Sequence, residues 1–254
     1  MKIVVSPEYE NLRQWLLPID KLMNVPDCDL LHDGRNKIVL CHSPHGERLV
    51  IKKYKKHDII KTIAYTIFRP SKAKRAFYNA IELRKRGFDT PCEVAYLEKK
   101  KFGFITQVYY VSLYSGKDAL SQHLKNVEPF DKELAASYAE YVALLHEKGV
   151  LHVDLNSTNV LFSKECGKYG FSLIDINRMR FFNAAVPKAE CMENLTLFWY
   201  FDDVFRYVLN VYAQARGWNN DDVENAIRVK QRHDRNWIRR KKFTRFLKKC
   251  VSIR

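Results

Sequence analysis

The chain has 254 residues, 46% of them hydrophobic and 13% aromatic, which excludes a disordered chain and suffices for one large domain or two small lobes. Its formal charge of +15 at pH 7 points to anionic partners: nucleotide phosphates, nucleic acid, an acidic membrane leaflet or a phosphorylated glycan. The six cysteines (Cys28, Cys41, Cys92, Cys166, Cys191 and Cys250) hold no C-x-x-C pair and read as free thiols; with a short apolar N-terminus and no membrane-length apolar run, the cytoplasm is the expected location.

Leu30 to Tyr54 predicts a three-stranded meander, with turns at Asp33-Gly34-Arg35-Asn36 and Ser43-Pro44-His45-Gly46. Ser71 to Arg86 predicts a helix, because Ala73, Ala76, Phe77, Ala80, Ile81 and Leu83 keep close to a 3.6-residue period, and Gly87 ends it. Val94 to Leu97 and Phe104 to Tyr109 predict two further strands. Beyond Ser112 the pattern is helical: Lys117 to Leu124, Asp131 to Lys148 and an aromatic-rich helix from Met192 to Ala215. The reading is an α+β chain with a boundary near residue 111: a small antiparallel sheet lobe with one main helix (1–111), then a mainly helical lobe (112–254), with a cleft expected between them.

The most informative stretch is His152-Val153-Asp154-Leu155-Asn156-Ser157-Thr158-Asn159, of the form H-x-D-x-x-x-x-N. It follows a long helix and precedes an apolar strand, the setting of a kinase catalytic loop. Sixteen residues on, Asp175 ends the apolar strand Phe171 to Ile174, where that pattern places its second acidic residue. Phosphoryl transfer is mostly positioning and charge neutralisation. Asn159 and Asp175 are hard oxygen ligands suited to Mg²⁺ against the phosphates of ATP, and Asp154 is suited to accept the proton of an attacking hydroxyl. His152, inside an apolar stretch, reads as a packed residue.

Val50-Ile51-Lys52 resembles the strand that carries a kinase's phosphate-binding lysine, and strand alternation puts Lys52 and Lys53 on opposite faces, with Lys52 the choice. Three features depart from the usual pattern. The turn carrying Gly34 and Asn36 has one glycine where three are customary, so its contact with phosphate is a weak expectation. Glu82, late in its helix, is the acid there expected to pair with Lys52. Asp175-Ile176-Asn177-Arg178 leads to no A-P-E sequence, which leaves little room for a peptide-docking platform and favours a small-molecule or glycan acceptor.

On these residues the chain resembles the bacterial lipopolysaccharide kinases, the group of the Kdo kinases and inner-core heptose kinases. The resemblance rests on the segments His152 to Asn159, Leu173-Ile174-Asp175-Ile176-Asn177-Arg178, Gly87-Phe88-Asp89-Thr90-Pro91 and Glu193-Asn194-Leu195. It implies a protein-kinase-like fold and an ATP- and Mg²⁺-dependent enzyme at the cytoplasmic face of a Gram-negative inner membrane. Its substrate would be a sugar of lipid-linked core oligosaccharide, with Asp154 as base and Asn159 and Asp175 as metal ligands. Where the family often has a second Asp, this chain has Asn177.

Arg228 to Arg254 is strongly basic, and Phe243, Phe246, Leu247, Cys250 and Val251 fall on one helical face. Such a helix suits an anionic bilayer or phosphorylated lipid, or else packs on its own domain with a solvated basic face. Nucleic acid is not the expected partner. The rival readings are a small atypical protein kinase, an aminoglycoside- or choline-type phosphotransferase, and a pseudokinase.

Overall fold

The computed structural model describes residues 1–55, 69–124, 129–198 and 203–251; the side chains of 246–251 lie outside it. The chain forms two compact units, residues 1–117 with 172–178, and residues 118–171 with 179–254.

The first unit is built on the expected meander, now β2 (Cys28–Asp33), β3 (Lys37–His42) and β4 (Arg48–Tyr54). With β1 (Lys2–Val5), β5 (Glu93–Lys101) and β6 (Phe104–Leu113) it makes a six-stranded sheet in the order β1-β5-β6-β4-β3-β2, its neighbours antiparallel. Side-chain alternation sorts the sheet into two faces. Leu49, Ile51, Leu97, Tyr109 and Val111 pack with Leu12, Leu16, Ile19 and Met23 from the short helical turns that follow β1, among them α1 (Arg13–Leu16) and α2 (Ile19–Leu22). These N-terminal turns carry no periodic signal, because each is about one turn long and is held by the sheet beneath it.

The opposite face carries Tyr54 and Tyr96 against Ala73 and Phe77 of α3 (Lys72–Lys85). Ser71 caps α3, its hydroxyl accepting from Lys74 N at 3.1 Å, and Gly87, with φ +86°, takes the left-handed position that ends it.

The second unit begins with β7 (Asp118–Ala119) and α4 (Leu120–Leu124), where the sequence suggested a helix alone. Next come α5 (Lys132–Glu147), β8 (Val150–Leu151), and a hairpin of β9 (Val160–Glu165) and β10 (Lys168–Leu173), whose last two residues fold with the first unit. Asp131 caps α5 by accepting from Leu134 N at 2.9 Å. After β11 (Arg180–Phe181) follow α6 (Lys188–Leu195), α7 (Asp203–Ala215) and the long α8 (Asn220–Val251). The helix expected from Met192 to Ala215 is therefore two helices. The first stops where Thr196 turns its hydroxyl onto Glu193 O, 2.6 Å away; residues 199–202 lie outside the described ones. Among the described residues no helix is long and apolar enough to cross a membrane.

The expectation of six free thiols fails at one pair. Cys28 and Cys41 face each other in register on β2 and β3, with Cα atoms 4.3 Å apart, and form a disulfide. Their separation of 13 residues matches no short motif, since the hairpin rather than the local sequence brings them together. One argument for a reducing compartment falls with it. Closing a loop of this length stabilises by roughly 3 kcal/mol in the chain-entropy picture. Reduction is expected to lower the urea midpoint of the wild-type chain and leave Cys28→Ser unmoved. In the unreduced, denatured protein, peptide mapping should find Cys28 and Cys41 unalkylated; alkylation of both removes the bridge.

Candidate functional site

In the first unit β4 delivers two lysines to opposite faces. Lys53 Nζ meets Asp20 at 3.2 Å on the α2 side, where Lys99 and Tyr109 also donate to that carboxylate. Burial works to raise the Asp20 pKa, but the hydrogen bonds from Lys99, Tyr109 and Lys53 outweigh it and bring it to about 2. Lys52, on the α3 side, lies 2.6 Å from Asp175 Oδ1 with both side chains largely sheltered.

Asp175 is held from several directions. Leu173 N donates to Asp89 O at 3.0 Å, Thr90 Oγ1 donates to Leu173 O at 2.7 Å, and Asn79 of α3 donates to Ile176 O at 2.7 Å. The backbone at Asp175 is left-handed, φ +56°, a conformation that non-glycine residues adopt at a cost and that clusters at functional positions. Buried Asn177 donates to Asp175 Oδ1 at 2.7 Å, so the residue that departs from the family pattern supports the carboxylate beside it.

One expectation is corrected here, and a second set of residues is found engaged elsewhere. Glu82 does not partner Lys52; late in α3, it ion-pairs with Arg86, its own i+4 neighbour, at 2.9 Å. The turn with Gly34 and Asn36 is engaged in its own hairpin. Gly34 N donates to Asn36 O at 3.3 Å, and Asn36 Oδ1 accepts from Lys55 N at 3.2 Å, so these groups are engaged at the strand ends of the hairpin.

In the second unit the loop from His152 to Asn159 is stitched to itself. Asp154 N donates to His152 Nδ1 at 3.2 Å, Asn156 Nδ2 donates to Asp154 Oδ1 at 3.1 Å, and Asn159 Nδ2 donates to Asp154 O at 2.9 Å. Asn156 Oδ1 accepts from Thr158 N at 3.0 Å, closing an Asx turn between the two. His152 is buried and packed, as its apolar setting suggested, and its ring positions Asp154.

The oxygen donors of each unit suit a hard cation. In the second unit Asn159 commits its amide nitrogen, not its oxygen, to Asp154 O; in the first, Asn177 Oδ1, beside the Asp175 carboxylate, is a buried oxygen with no hydrogen-bond partner among the described residues. Among the described residues no three His, Cys, Asp or Glu cluster, as a structural zinc site would require. Mg²⁺ differs in taking one or two carboxylates together with substrate phosphates and water.

Residues 37–189, more than half of the chain, match the model of the lipopolysaccharide kinase (Kdo/WaaP) family. The chain belongs to that family. A solved structure described as WaaP in complex with acyl carrier protein superposes on this family member with a TM-score of 0.64 at 15% identity, over 92% of this chain and 99% of that one. Another, amicoumacin kinase hAmiN in complex with AMP-PNP, Ca²⁺ and Ami, gives a TM-score of 0.53 at 12% identity, over 85% and 83%. At these identities the likeness is one of fold, and the fold is protein-kinase-like. No curated protein sequence matches.

What the sequence did not reveal in this lipopolysaccharide kinase family member is how its loop is anchored. Asn194 of α6 donates to His152 O at 2.9 Å, while its Oδ1 lies 3.1 Å from His146 Nε2; His146 Nδ1 lies 2.8 Å from the Tyr212 hydroxyl. Burial takes the His146 pKa down to about 4, with the Asn194 hydrogen bond opposing and Arg216 assisting, so the ring is neutral at pH 7. A neutral ring has one donor. Nε2–H to Asn194 Oδ1 and Tyr212 O–H to Nδ1 is the arrangement in which every atom is satisfied, and it leaves the Asn194 amide nitrogen for the loop. The segment Glu193-Asn194-Leu195 was visible as a motif, but its long-range partners were not.

Because the folded pKa of His146 is depressed, its contribution to stability is present above the unfolded value near 6.5 and is lost as pH falls toward 4. Between pH 7 and pH 5 the loss is about 2 kcal/mol. Urea titrations at those two pH values should show His146→Gln losing correspondingly less than the wild type; equal losses would remove the histidine from this role.

Proposed function

We propose that this chain is an ATP-dependent kinase that phosphorylates a sugar hydroxyl, of Kdo or heptose, on the lipid-linked inner core of lipopolysaccharide. The observation that carries the reading is the Lys52–Asp175 pair, which joins a strand lysine to the acid after the β9–β10 hairpin, 123 residues away. Membership of the lipopolysaccharide kinase family supports it.

In this reading residues 1–111 supply the ATP-binding half and 112–254 the catalytic half. Lys52 holds the ATP phosphates. Asp175 and Asn159 hold Mg²⁺, which when bound neutralises charge on those phosphates. Asp154, its backbone and carboxylate fixed by His152, Asn156 and Asn159, accepts the proton of the acceptor hydroxyl as the oxygen attacks the γ-phosphorus and ADP leaves.

The expected test is transfer of labelled phosphate from ATP to a Kdo-bearing lipid A precursor and, in parallel, to a heptose-bearing inner core, with a generic protein and an aminoglycoside as controls. Asp154→Asn should lower kcat by roughly 10² to 10⁴-fold, the range for a lost general base, with the affinity for an ATP analogue little changed. Labelling of the protein control alone would replace the glycan reading; unaltered kcat in Asp154→Asn would remove that residue from the chemistry.

The helix α8 bears on where the enzyme works. Its first turns are anchored through Lys230, buried, which donates to Thr196 O at 3.1 Å and pairs with Asp234 at 3.0 Å. From Arg235 to Arg245 every residue is exposed, six of the eleven are Lys or Arg, none is acidic, and Trp237, Ile238 and Phe243 stand out in solvent among them. Of the apolar face expected from the sequence, Phe243 alone has a described side chain; Phe246, Leu247, Cys250 and Val251 lie outside the described side chains. Interleaved cations and aromatics suit the headgroup region of an anionic bilayer, and this supports a peripheral position at the cytoplasmic face of the inner membrane.

Vesicles containing phosphatidylglycerol should sediment the wild type, and pure phosphatidylcholine vesicles should not. At about 1 kcal/mol per cation, the triple variant Arg239→Glu/Arg240→Glu/Lys242→Glu should bind anionic vesicles at least a hundredfold more weakly. Undiminished binding would free α8 for a protein partner instead, an occupant the WaaP–acyl carrier protein complex brings into view.

A further inference from the structure

Strands β5 and β6 outrun the sheet they belong to. Pairing with β1 stops where Lys2 stands opposite Glu98, and pairing with β4 stops where Tyr54 stands opposite Val108. The two strands go on pairing with each other as far as Lys101 opposite Phe104. Among the described residues, 99–107 are thus a two-stranded ribbon that reaches about 10 Å past the sheet, at roughly 3.3 Å per residue. Its base is secured within the first unit: Thr106 Oγ1 donates to Lys99 O at 3.2 Å, and Lys99 is matched by Asp20.

The ribbon turns at Phe102 and Gly103, with φ of +51° and +80°. Two-residue hairpin turns with positive φ at both positions favour Asn-Gly, because a bulky side chain is strained at the first of them. Packing offsets little of that strain, since Phe102 is 88% exposed and Phe104 beside it 41%. Lys100 and Lys101 are exposed as well and make no ion pair among the described residues, and Lys101 Nζ lies 5.5 Å from the centroid of the Phe102 ring. No acidic residue stands between Glu98 and Asp118 in the sequence. The turn therefore presents two aromatic rings and two unmatched ammonium groups at the end of a projecting arm.

Two rings are too little surface for a stable protein interface, and lysine is depleted from such interfaces. A bilayer demands neither area nor a shaped partner. Aromatic rings settle at its headgroup–acyl boundary, and neighbouring lysines extend to anionic headgroups. We propose that the β5–β6 tip is a membrane wedge: Phe102 and Phe104 enter the headgroup–acyl boundary of an anionic bilayer while Lys100 and Lys101 meet its phosphates. The wedge gives the first unit a lipid contact of its own, separate from α8 of the second. The inference rests on the reading of a lipid-linked acceptor, which brings the enzyme to a bilayer.

Binding of the full chain to phosphatidylglycerol-containing vesicles, without ATP or acceptor, decides it. Phe102→Asn should bind about tenfold more weakly than the wild type, the effect of withdrawing one large apolar side chain, and its Tm should rise because Asn suits the turn. Lys100→Gln/Lys101→Gln should also weaken binding by about tenfold or more, at roughly a fivefold loss per cation. Insertion is read from Phe102→Trp/Trp237→Phe on vesicles brominated in the acyl chains, whose fluorescence should be quenched beyond that of Trp237→Phe alone. A wild type that does not sediment, or no added quenching, overturns the wedge. So does Phe102→Asn binding as tightly as the wild type, which leaves the tip to a protein partner.

Kinetics separate this proposal from the kinase reading. Phe102→Asn should keep the wild-type kcat on acceptor dispersed in detergent and raise KM about tenfold for acceptor embedded in vesicles. An unchanged KM in vesicles overturns the wedge with the kinase reading intact. Absence of transfer by the wild type removes the kinase reading, and the vesicle binding, which needs no turnover, still decides the wedge.

Discussion

Lys52 and Asp175 are 123 residues apart in the chain and 2.6 Å apart in space, and much of the first unit is arranged so that they can meet. A sheltered ion pair is stable only when both partners are held and their remaining hydrogen-bonding capacity is used. On one side the antiparallel pairing of β4 with β3 and β6 fixes which way Lys52 points. On the other, Asp175 stands in a left-handed backbone whose neighbours are held by the hydrogen bond of Leu173 N to Asp89 O and by those from Thr90 and Asn79, while Asn177 donates to its carboxylate. The usual helix acid is not needed to neutralise Lys52, because Asp175 does so.

The second unit reaches precision by a different route. Its loop is held by neutral groups: a backbone carbonyl, the Asn194 amide, an uncharged imidazole and a phenol, buried together. Hydrogen bonds of this kind are hardly screened by salt but respond to protonation, since a charged His146 would have no lone pair left for the Tyr212 hydroxyl. The first unit's Lys52–Asp175 pair joins charged groups instead, and being sheltered it too is screened little by salt.

The elements legible in the sequence were those whose determinants are local. Ser71 and Gly87 bracket α3, Asp131 opens α5, and the alternation along Val50 to Tyr54 separated Lys52 from Lys53, which the structure sends to Asp175 and Asp20. What escaped depends on long-range pairing. Cys28 meets Cys41 through strand register; Asn194 reaches His152 and His146 across 42 and 48 residues; the turns between Pro7 and Leu22 have no pattern of their own and take their form from the sheet. The break after Leu195 was missed for a further reason. The aromatic-rich stretch keeps helical composition through it, and a single threonine hydroxyl accepted as a local partner marks the end.

Much of the excess of positive charge lies along one exposed helix. Along α8 the cations are exposed on every side and mixed with Trp237, Ile238 and Phe243, a distribution suited to an extended, laterally fluid anionic surface whose attraction fades within a Debye length. Raising ionic strength should therefore release the helix from a charged surface while leaving the sheltered Lys52–Asp175 pair little changed, so attachment to a surface and the pairing of those two side chains respond separately to salt.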